Sequence, residues 1–463
     1  MMGRKIQQAM LLAALLMASA LTATAQENSF ATQRPEPTPV EVPSLPPATL
    51  PTAELPITAD DLLPLTAERA TFQRQGVLVE TFGGEVVMEQ AAEQGFNPAS
   101  AVKLATALVA LRTFGPQHRF ATAVWTNGTF DAATSTINGD LIISGRDPSF
   151  HYEHAVLLAR ELNRLGIRNV TGDLVVAPRF TMNFSPSSLR SGEQLYDTLD
   201  ATRRPAAATR AWYDARIATG DTADLQTLPS VSVMGAVYTD SVPSGARMLL
   251  THKSSTLVDV LKVLLCYSNN FMAERLGDML GGAQGVRRFL VSEVGLPDAE
   301  VRLASTSGLG VNRLTPRGMM KVYRALFDEL DEHNLSPADI MPVAGIDPGT
   351  LQKRYRSSLG RGSIIAKTGT LIRTDNGASA LVGQFRTQSG ETLLFVIFNQ
   401  RGSAVHFRAT QDRLIADLQS ARGGPAPFAY SPHSLAMRLA DTAFDPAKPA
   451  RTDEYEPAAN ELK

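Results

Sequence analysis

The stretch Asn97-Pro98-Ala99-Ser100-Ala101-Val102-Lys103-Leu104, with the apolar run Ala105 to Leu111 behind it, decides how the chain is read. Pro98 favours an extended residue before it and a helix after it. The sequence therefore predicts a helix to about Arg112, with Ser100 in its first turn where the helix dipole is positive. Positions three apart share a helical face, which brings the Lys103 amine to the Ser100 hydroxyl. A serine needs a base before it can attack a carbonyl. Lysine serves as that base when desolvation, the helix N-terminus or a second cation pushes its pKa toward neutrality. No other lysine in the chain has a serine three residues before it. A Ser-x-x-Lys alone is a weak signal, so the reading needs partners elsewhere.

Arg4 and Lys5, the apolar run from about Ala9 to Leu21 and the small residues Ala23-Thr24-Ala25 describe a secretory signal peptide over residues 1–25. The run is short for a membrane span, and no cysteine stands near it to take a lipid. An exported protein without a membrane anchor is expected. The net charge of −2 becomes −4 without this segment, a balance that argues against nucleic acid as a partner. Cys266 is the single cysteine, so no internal disulfide can form; its apolar helical surroundings predict a buried thiol.

Residues 26–59 are rich in Pro, Thr and Ala and read as a linker, with the fold starting near Ala59-Asp60-Asp61. Gly76 to Glu80 and Glu85 to Met88, across Phe82-Gly83-Gly84, predict a hairpin. From Arg119 to Met248 the texture changes to short strands and turns. Ile137-Asn138-Gly139-Asp140-Leu141-Ile142-Ile143 and Val170-Thr171-Gly172-Asp173-Leu174-Val175-Val176 match as turn-then-strand units on either side of a helical stretch at Ala155 to Leu165. Ser185 to Gly220 shows no pattern and reads as a mobile loop. Asn127-Gly128-Thr129 reads as a plain turn, and His151 and His154 as capping or exposed histidines, since no further His or Cys accompanies them. No metal or cofactor is called for.

Ser255-Thr256 with Asp259 opens a strong helix ending near Tyr267. Ser268-Asn269-Asn270 follows at its joint with a second amphipathic helix, where a Ser-x-Asn pair would face a cleft. Ser305 to Gly310 is a Gly/Ser loop, Thr315-Pro316 opens a helix to about Phe327, and Ser363 to Ala366 leads into Lys367-Thr368-Gly369-Thr370 as a strand. Strands at Ala380 to Arg386 and Thr392 to Asn399, then a helix from Ala409 to Leu418, close the fold. Residues 423–463 read as a disordered tail. The parts assemble into a discontinuous catalytic domain (60–118 and 249–422) interrupted by a β-rich module (119–248). The fold class is α/β (α+β), with helices flanking an antiparallel sheet built from the N-terminal hairpin and the C-terminal strands.

Ser100/Lys103, Ser268/Asn270 and Lys367-Thr368-Gly369 stand in the order of the Ser-x-x-Lys, Ser-x-Asn and Lys-Thr-Gly set shared by penicillin-binding proteins and β-lactamases. The chemistry is coherent. Acyl transfer needs a nucleophile, a base, a leaving-group acid and an oxyanion hole. Ser100 attacks, Lys103 takes its proton, Ser268 relays it to the leaving amine beside Lys367, and Asn270 holds a substrate amide. The backbone N–H groups of Ser100 and Thr370 suit the oxyanion, while Gly369 lets a peptide lie against the strand. Lys367 and the hydroxyls of Thr368 and Thr370 suit a terminal carboxylate.

Asn97 to Leu104, Gly139-Asp140-Leu141 with Gly145-Arg146-Asp147-Pro148, Tyr267-Ser268-Asn269-Asn270-Phe271-Met272-Ala273-Glu274 and Pro342 to Asp347 extend the likeness over roughly residues 60–420. In them the chain resembles the D-alanyl-D-alanine carboxypeptidase/endopeptidase family, the class C low-molecular-mass penicillin-binding proteins or S13 serine peptidases. That resemblance implies a penicillin-binding transpeptidase-like fold with an inserted module, and a periplasmic enzyme. The implied substrates are D-Ala-D-Ala ends or D-Ala–diamino-acid cross-links of peptidoglycan stem peptides, with β-lactams acylating Ser100. Two features depart from the family pattern: Ser305 and Thr306 stand where Asp-Gly is expected, and the insert is shorter. The rival readings are a serine β-lactamase, disfavoured by the insert and the absence of a carboxylate motif for activating water, and a non-catalytic wall-binding protein.

Overall fold

The computed structural model describes residues 74–221, 228–356 and 360–447. The readings over residues 1–73 lie outside the described residues.

β1 (Arg74–Thr81) and β2 (Val86–Gln90) form the expected antiparallel hairpin. A 3₁₀ turn at Ala99–Ala101 then runs directly into α1 (Val102–Phe114). Every residue of α1 from Val102 to Leu111 is buried. A helix buried on all sides belongs inside a core, and over this stretch α1 carries only Lys103 and Thr106 as polar residues.

The insert follows as β3 (Arg119–Thr126), β4 (Thr129–Asp131), β5 (Thr136–Asn138), β6 (Leu141–Gly145), α2 (Tyr152–Arg164), β7 (Asn169–Val170), β8 (Leu174–Val176), α3 (Ser188–Leu199), α4 (Ala206–Thr219), β9 (Ser232–Val233), β10 (Val237–Thr239) and β11 (Arg247–Thr256). The chain then returns through α5 (Leu257–Tyr267), α6 (Asn270–Met279), α7 (Gly282–Ser292), α8 (Pro316–Glu332) and α9 (Pro337–Ile340) to β12 (Ile364–Leu371), β13 (Ala378–Arg386) and β14 (Thr392–Gln400). It ends with α10 (Ala404–Ser420), α11 (Leu435–Ala440) and β15 (Ala443–Pro446).

The central sheet has the order β12-β13-β14-β1-β2, antiparallel throughout. Side chains alternate across it with period two. Leu78, Val382, Val396 and Phe398 join the core around α1, α5 and α8, while Val77, Val79, Leu381, Phe395 and Ile397 pack with Ile415 of α10. Helices thus cover both faces, as the fold class requires.

In the insert, the two matched units pair in parallel, Ile137 with Val170 and Leu141 with Leu174. A third unit, Val233-Met234-Gly235-Ala236-Val237, stacks on them in the same register. The Gly172 N–H donates to Gly139 O (3.0 Å) and the Gly235 N–H to Gly172 O (2.9 Å), so three turns form one ladder. Asn127 is built into the end of it: its Oδ1 accepts from the Asp140 N–H (2.7 Å) and its Nδ2 donates to Asp140 Oδ2 (2.7 Å).

Three expectations need correction. Ser185 to Gly220 is not a patternless loop but carries α3 and α4; Gly192 of α3 lets that helix sit against Val176 and Val237, a tertiary contact with no local signal. The module does not end at 248, because β11 runs through to Thr256 and pairs along β3. Part of the supposed tail is ordered: β15 adds to the insert sheet, whose order is β10-β8-β6-β3-β11-β15, and Arg438 of α11 pairs with Asp259 of α5 (2.8 Å). This C-terminal strap also reaches a buried ion pair of the catalytic domain. Lys262 Nζ lies 2.7 Å from Asp347 Oδ2, neither side chain exposed, and the Tyr430 hydroxyl donates to Asp347 Oδ1 (2.7 Å). Residues 448–463 lie outside the described residues.

Candidate active site

Ser100 is set by the turn before α1. The Asn97 side chain, fully buried, accepts from the Ala99 N–H (3.1 Å) and donates to Gly310 O (3.0 Å) and to Asp375 Oδ2 (2.7 Å). Ala99 is held at φ +46°, a conformation that a residue with a side chain rarely takes and that persists only under such restraint. Ser100 lies in the 3₁₀ turn itself, one step earlier than the α-helical turn expected for it.

Lys103, wholly buried, donates to Ser100 Oγ (3.1 Å), Asn270 Oδ1 (2.7 Å) and Ser307 O (2.6 Å). Burial pushes its pKa down to about 7 against the opposing pull of the Glu274 carboxylate. Burial alone would raise the Glu274 pKa, yet hydrogen bonds from Ser307 and Thr306 outweigh it and hold the group below the usual carboxylate range.

Ser268 caps the end of α5 in a left-handed conformation (φ +55°), and Asn269 caps α6 by accepting from the Met272 N–H (3.0 Å). These two caps turn the chain sharply, so that Ser268 meets Lys367 and Asn270 meets Lys103. Lys367 Nζ donates to Ser268 Oγ (2.8 Å) and Thr368 O (2.7 Å). Lys367 is fully buried, and desolvation first, then repulsion from Lys103, puts its pKa well below the usual lysine value. The Cys266 thiol nearby is likewise buried, which pushes it up to about 12 and leaves it an inert packing group.

Gly369 brings the third motif against the first. A Cβ there would fall 2.6 Å from the Pro98 carbonyl oxygen and 3.1 Å from Ala99 Cβ, so only glycine lets β12 lie beside the nucleophile's turn. Its small size serves this contact, besides any room it leaves for a peptide. The Thr370 hydroxyl donates to Gly369 O (2.8 Å) and accepts from Arg408 Nη2 (3.0 Å).

All eight residues singled out from sequence, Ser100, Lys103, Ser268, Asn270, Lys367, Thr368, Gly369 and Thr370, therefore meet in one place. Sequence reasoning missed the Ser307 carbonyl, Glu274, the Asn97–Asp375 latch and Arg408. The Gly/Ser composition of residues 305–310 was a visible signal for the first; Arg408 has none, since it is one of two arginines along the α10 sequence and no motif marks it.

His151 and His154 are drawn into a helix cap. The His151 N–H donates to His154 Nδ1 (3.0 Å) and His154 Nε2 meets Leu439 O (2.8 Å), so both ring nitrogens of His154 are engaged.

The sequence pattern of the D-Ala-D-Ala carboxypeptidase 3 (S13) family matches residues 65–227 and 194–418. The chain belongs to this family. An S13 member is a serine peptidase of the D-Ala-D-Ala carboxypeptidase class, and this protein is such an enzyme. Among its relatives, a D-alanyl-D-alanine carboxypeptidase of Actinomadura is 26% identical over 76% of this chain and 82% of its own length. A carboxypeptidase of Mycobacterium tuberculosis is 25% identical over 71% and 76%. Of solved S13-like folds, a predatory endopeptidase of Bdellovibrio bacteriovorus superposes with a TM-score of 0.66 at 21% identity, covering 79% of this chain and 97% of that one. Penicillin-binding protein 4 of Haemophilus influenzae gives 0.56 at 21%, covering 75% and 97%. Among the described residues no helix is long and apolar enough to cross a membrane.

Proposed function

We propose that this S13 enzyme hydrolyses the peptide bond of D-Ala-D-Ala ends, or of D-Ala–diamino-acid cross-links, in peptidoglycan stem peptides, by way of an acyl-enzyme on Ser100. The observation that carries this reading is the contact set of Lys103. Three acceptors saturate an ammonium. When the buried amine loses a proton, its two shorter bonds, to Asn270 and Ser307, keep the remaining hydrogens, and the lone pair is left for the Ser100 hydroxyl.

Ser100 Oγ attacks the carbonyl carbon as its proton passes to Lys103, and the oxyanion is met by the Ser100 and Thr370 N–H groups. The C–N bond then breaks, and the departing amine takes a proton through Ser268, which Lys367 orients. Water hydrolyses the ester and restores Ser100. A β-lactam ring presents the same amide to Ser100, so penicillin acylates it; the acyl-enzyme is then slow to release. Asn270 holds the substrate amide, and the strand Lys367 to Thr370 lines the peptide. The secretory signal read over residues 1–25 supports export to the periplasm, where these substrates are.

Intact mass after incubation with benzylpenicillin tests this directly. The wild type should gain one penicilloyl group and Ser100→Ala none, while the wild type alone releases D-alanine from a D-Ala-D-Ala peptide. Rapid turnover of penicillin without a persistent adduct would indicate a β-lactamase, and no adduct with no D-alanine would indicate a silent wall-binding protein.

A further inference from the structure

A terminal carboxylate needs a fixed positive charge, and Lys367 is poorly suited to give one. It is fully buried, its hydrogens go to Ser268 and to the Thr368 carbonyl, and desolvation favours its neutral form. The Thr370 hydroxyl cannot greet an anion freely either, because its single hydrogen is committed to Gly369 O (2.8 Å). What stands behind that hydroxyl is a guanidinium: Arg408 Nη2 donates to Thr370 Oγ1 at 3.0 Å.

Arg408 is exposed and, among the described residues, has no carboxylate within ion-pair distance. Asp375, in the turn after β12, is paired with Arg313 (2.6 Å) and Asn97 (2.7 Å). A guanidinium remains charged at every working pH, and its planar fork matches a carboxylate with two parallel hydrogen bonds. One of its N–H groups is used on Thr370, which leaves others free on α10, beside the end of the strand that carries Lys367-Thr368-Gly369.

We propose that Arg408 is the cation that receives the substrate's terminal carboxylate beside the Thr370 hydroxyl, and that it sets the enzyme's preference for a free carboxylate end over a blocked one. This rests on the D,D-peptidase reading above and assigns the recognition of the leaving residue to α10.

The test compares wild type, Arg408→Ala and Arg408→Lys, each with benzylpenicillin and with its methyl ester, following Ser100 acylation by intact mass, and adds D-alanine release from a D-Ala-D-Ala peptide. The acid-to-ester ratio of acylation rates should fall about tenfold or more in Arg408→Ala, with Arg408→Lys retaining part of it, as expected for a lost charge-assisted pair. An unchanged ratio, or a lysine variant as impaired as the alanine variant, overturns the role of Arg408 while leaving the peptidase reading intact. A wild type that neither takes penicillin nor releases D-alanine overturns both. Because Arg408 is exposed, circular dichroism of the variants should match the wild type.

Discussion

Lys367 and Ser268 are 99 residues apart in the chain and 2.8 Å apart in the fold. With the Lys103–Asn270 bond and the seat of Gly369 on the Pro98 carbonyl, this contact closes a triangle in which each motif touches the other two. Lys103, Ser268 and Lys367 are thereby each held by a group from a different motif, which is the preorganisation that electrostatic catalysis requires.

Acylation should follow the titration of Lys103. Its pKa is lowered to about 7, and the base is the neutral form. The rate of penicillin acylation should rise with pH and level off above neutrality, lying about thirtyfold below the plateau at pH 5.5. A flat profile between pH 5.5 and 8 would remove Lys103 as the base.

The same shift has a thermodynamic side. The unfolded lysine keeps its proton up to a pH of about 10.4 and the folded one releases it near 7, so within that window the unfolded chain binds more protons and this group makes stability rise with pH. Lys103→Met removes the dependence. The gain in Tm of Lys103→Met over wild type should be largest near pH 6 and shrink toward pH 10.

Lys103→Ala should lose about a thousandfold in acylation, within the range for a removed general base, while circular dichroism stays native. Retention of the wild-type rate would show that another group takes the serine proton.

Asp347→Ala should be severe, because it strands a fully buried Lys262 whose other partners are the neutral carbonyls of Ala338 and Met341 and the face of the Tyr430 ring. A loss of about 3–5 kcal/mol in urea unfolding is expected for breaking one side of such a pair. Tyr430→Phe, which removes one neutral donor from the same carboxylate, should cost about 1 kcal/mol.

Truncating the chain after His433 removes α11 and β15 and leaves one edge of β11 unpaired. Amide exchange at Leu250 to Lys253 should accelerate while β13 and β14 keep their protection, and the Arg438–Asp259 pair at α5 is lost with the strap.

The catalytic centre was legible because its chemistry demands particular residue types at fixed local spacings. Ser100 and Lys103 share a helical turn, and Lys367 to Gly369 share a strand. The central strands were legible for a related reason: Val77, Val79, Phe395 and Ile397 alternate with residues of the opposite face. What stayed hidden depends on contacts remote in sequence. The third rung of the insert ladder reads Met234-Gly235-Ala236 where the others read Asn138-Gly139-Asp140 and Thr171-Gly172-Asp173, so only its pairing with β7 and β8 reveals it. The C-terminal strap is short and proline-flanked, and Asp259, His154 and β11 give it a structure that its own propensities do not.

The pairing of Val77 with Ile397 has a kinetic consequence. β1 must remain without its inner neighbour until β14, far downstream of it, has been made. Such distant closure predicts slow folding, governed by the search for β14 more than by any local step. The hairpin is meanwhile an open sheet edge, the most hazardous surface of the nascent protein for association with other copies of itself.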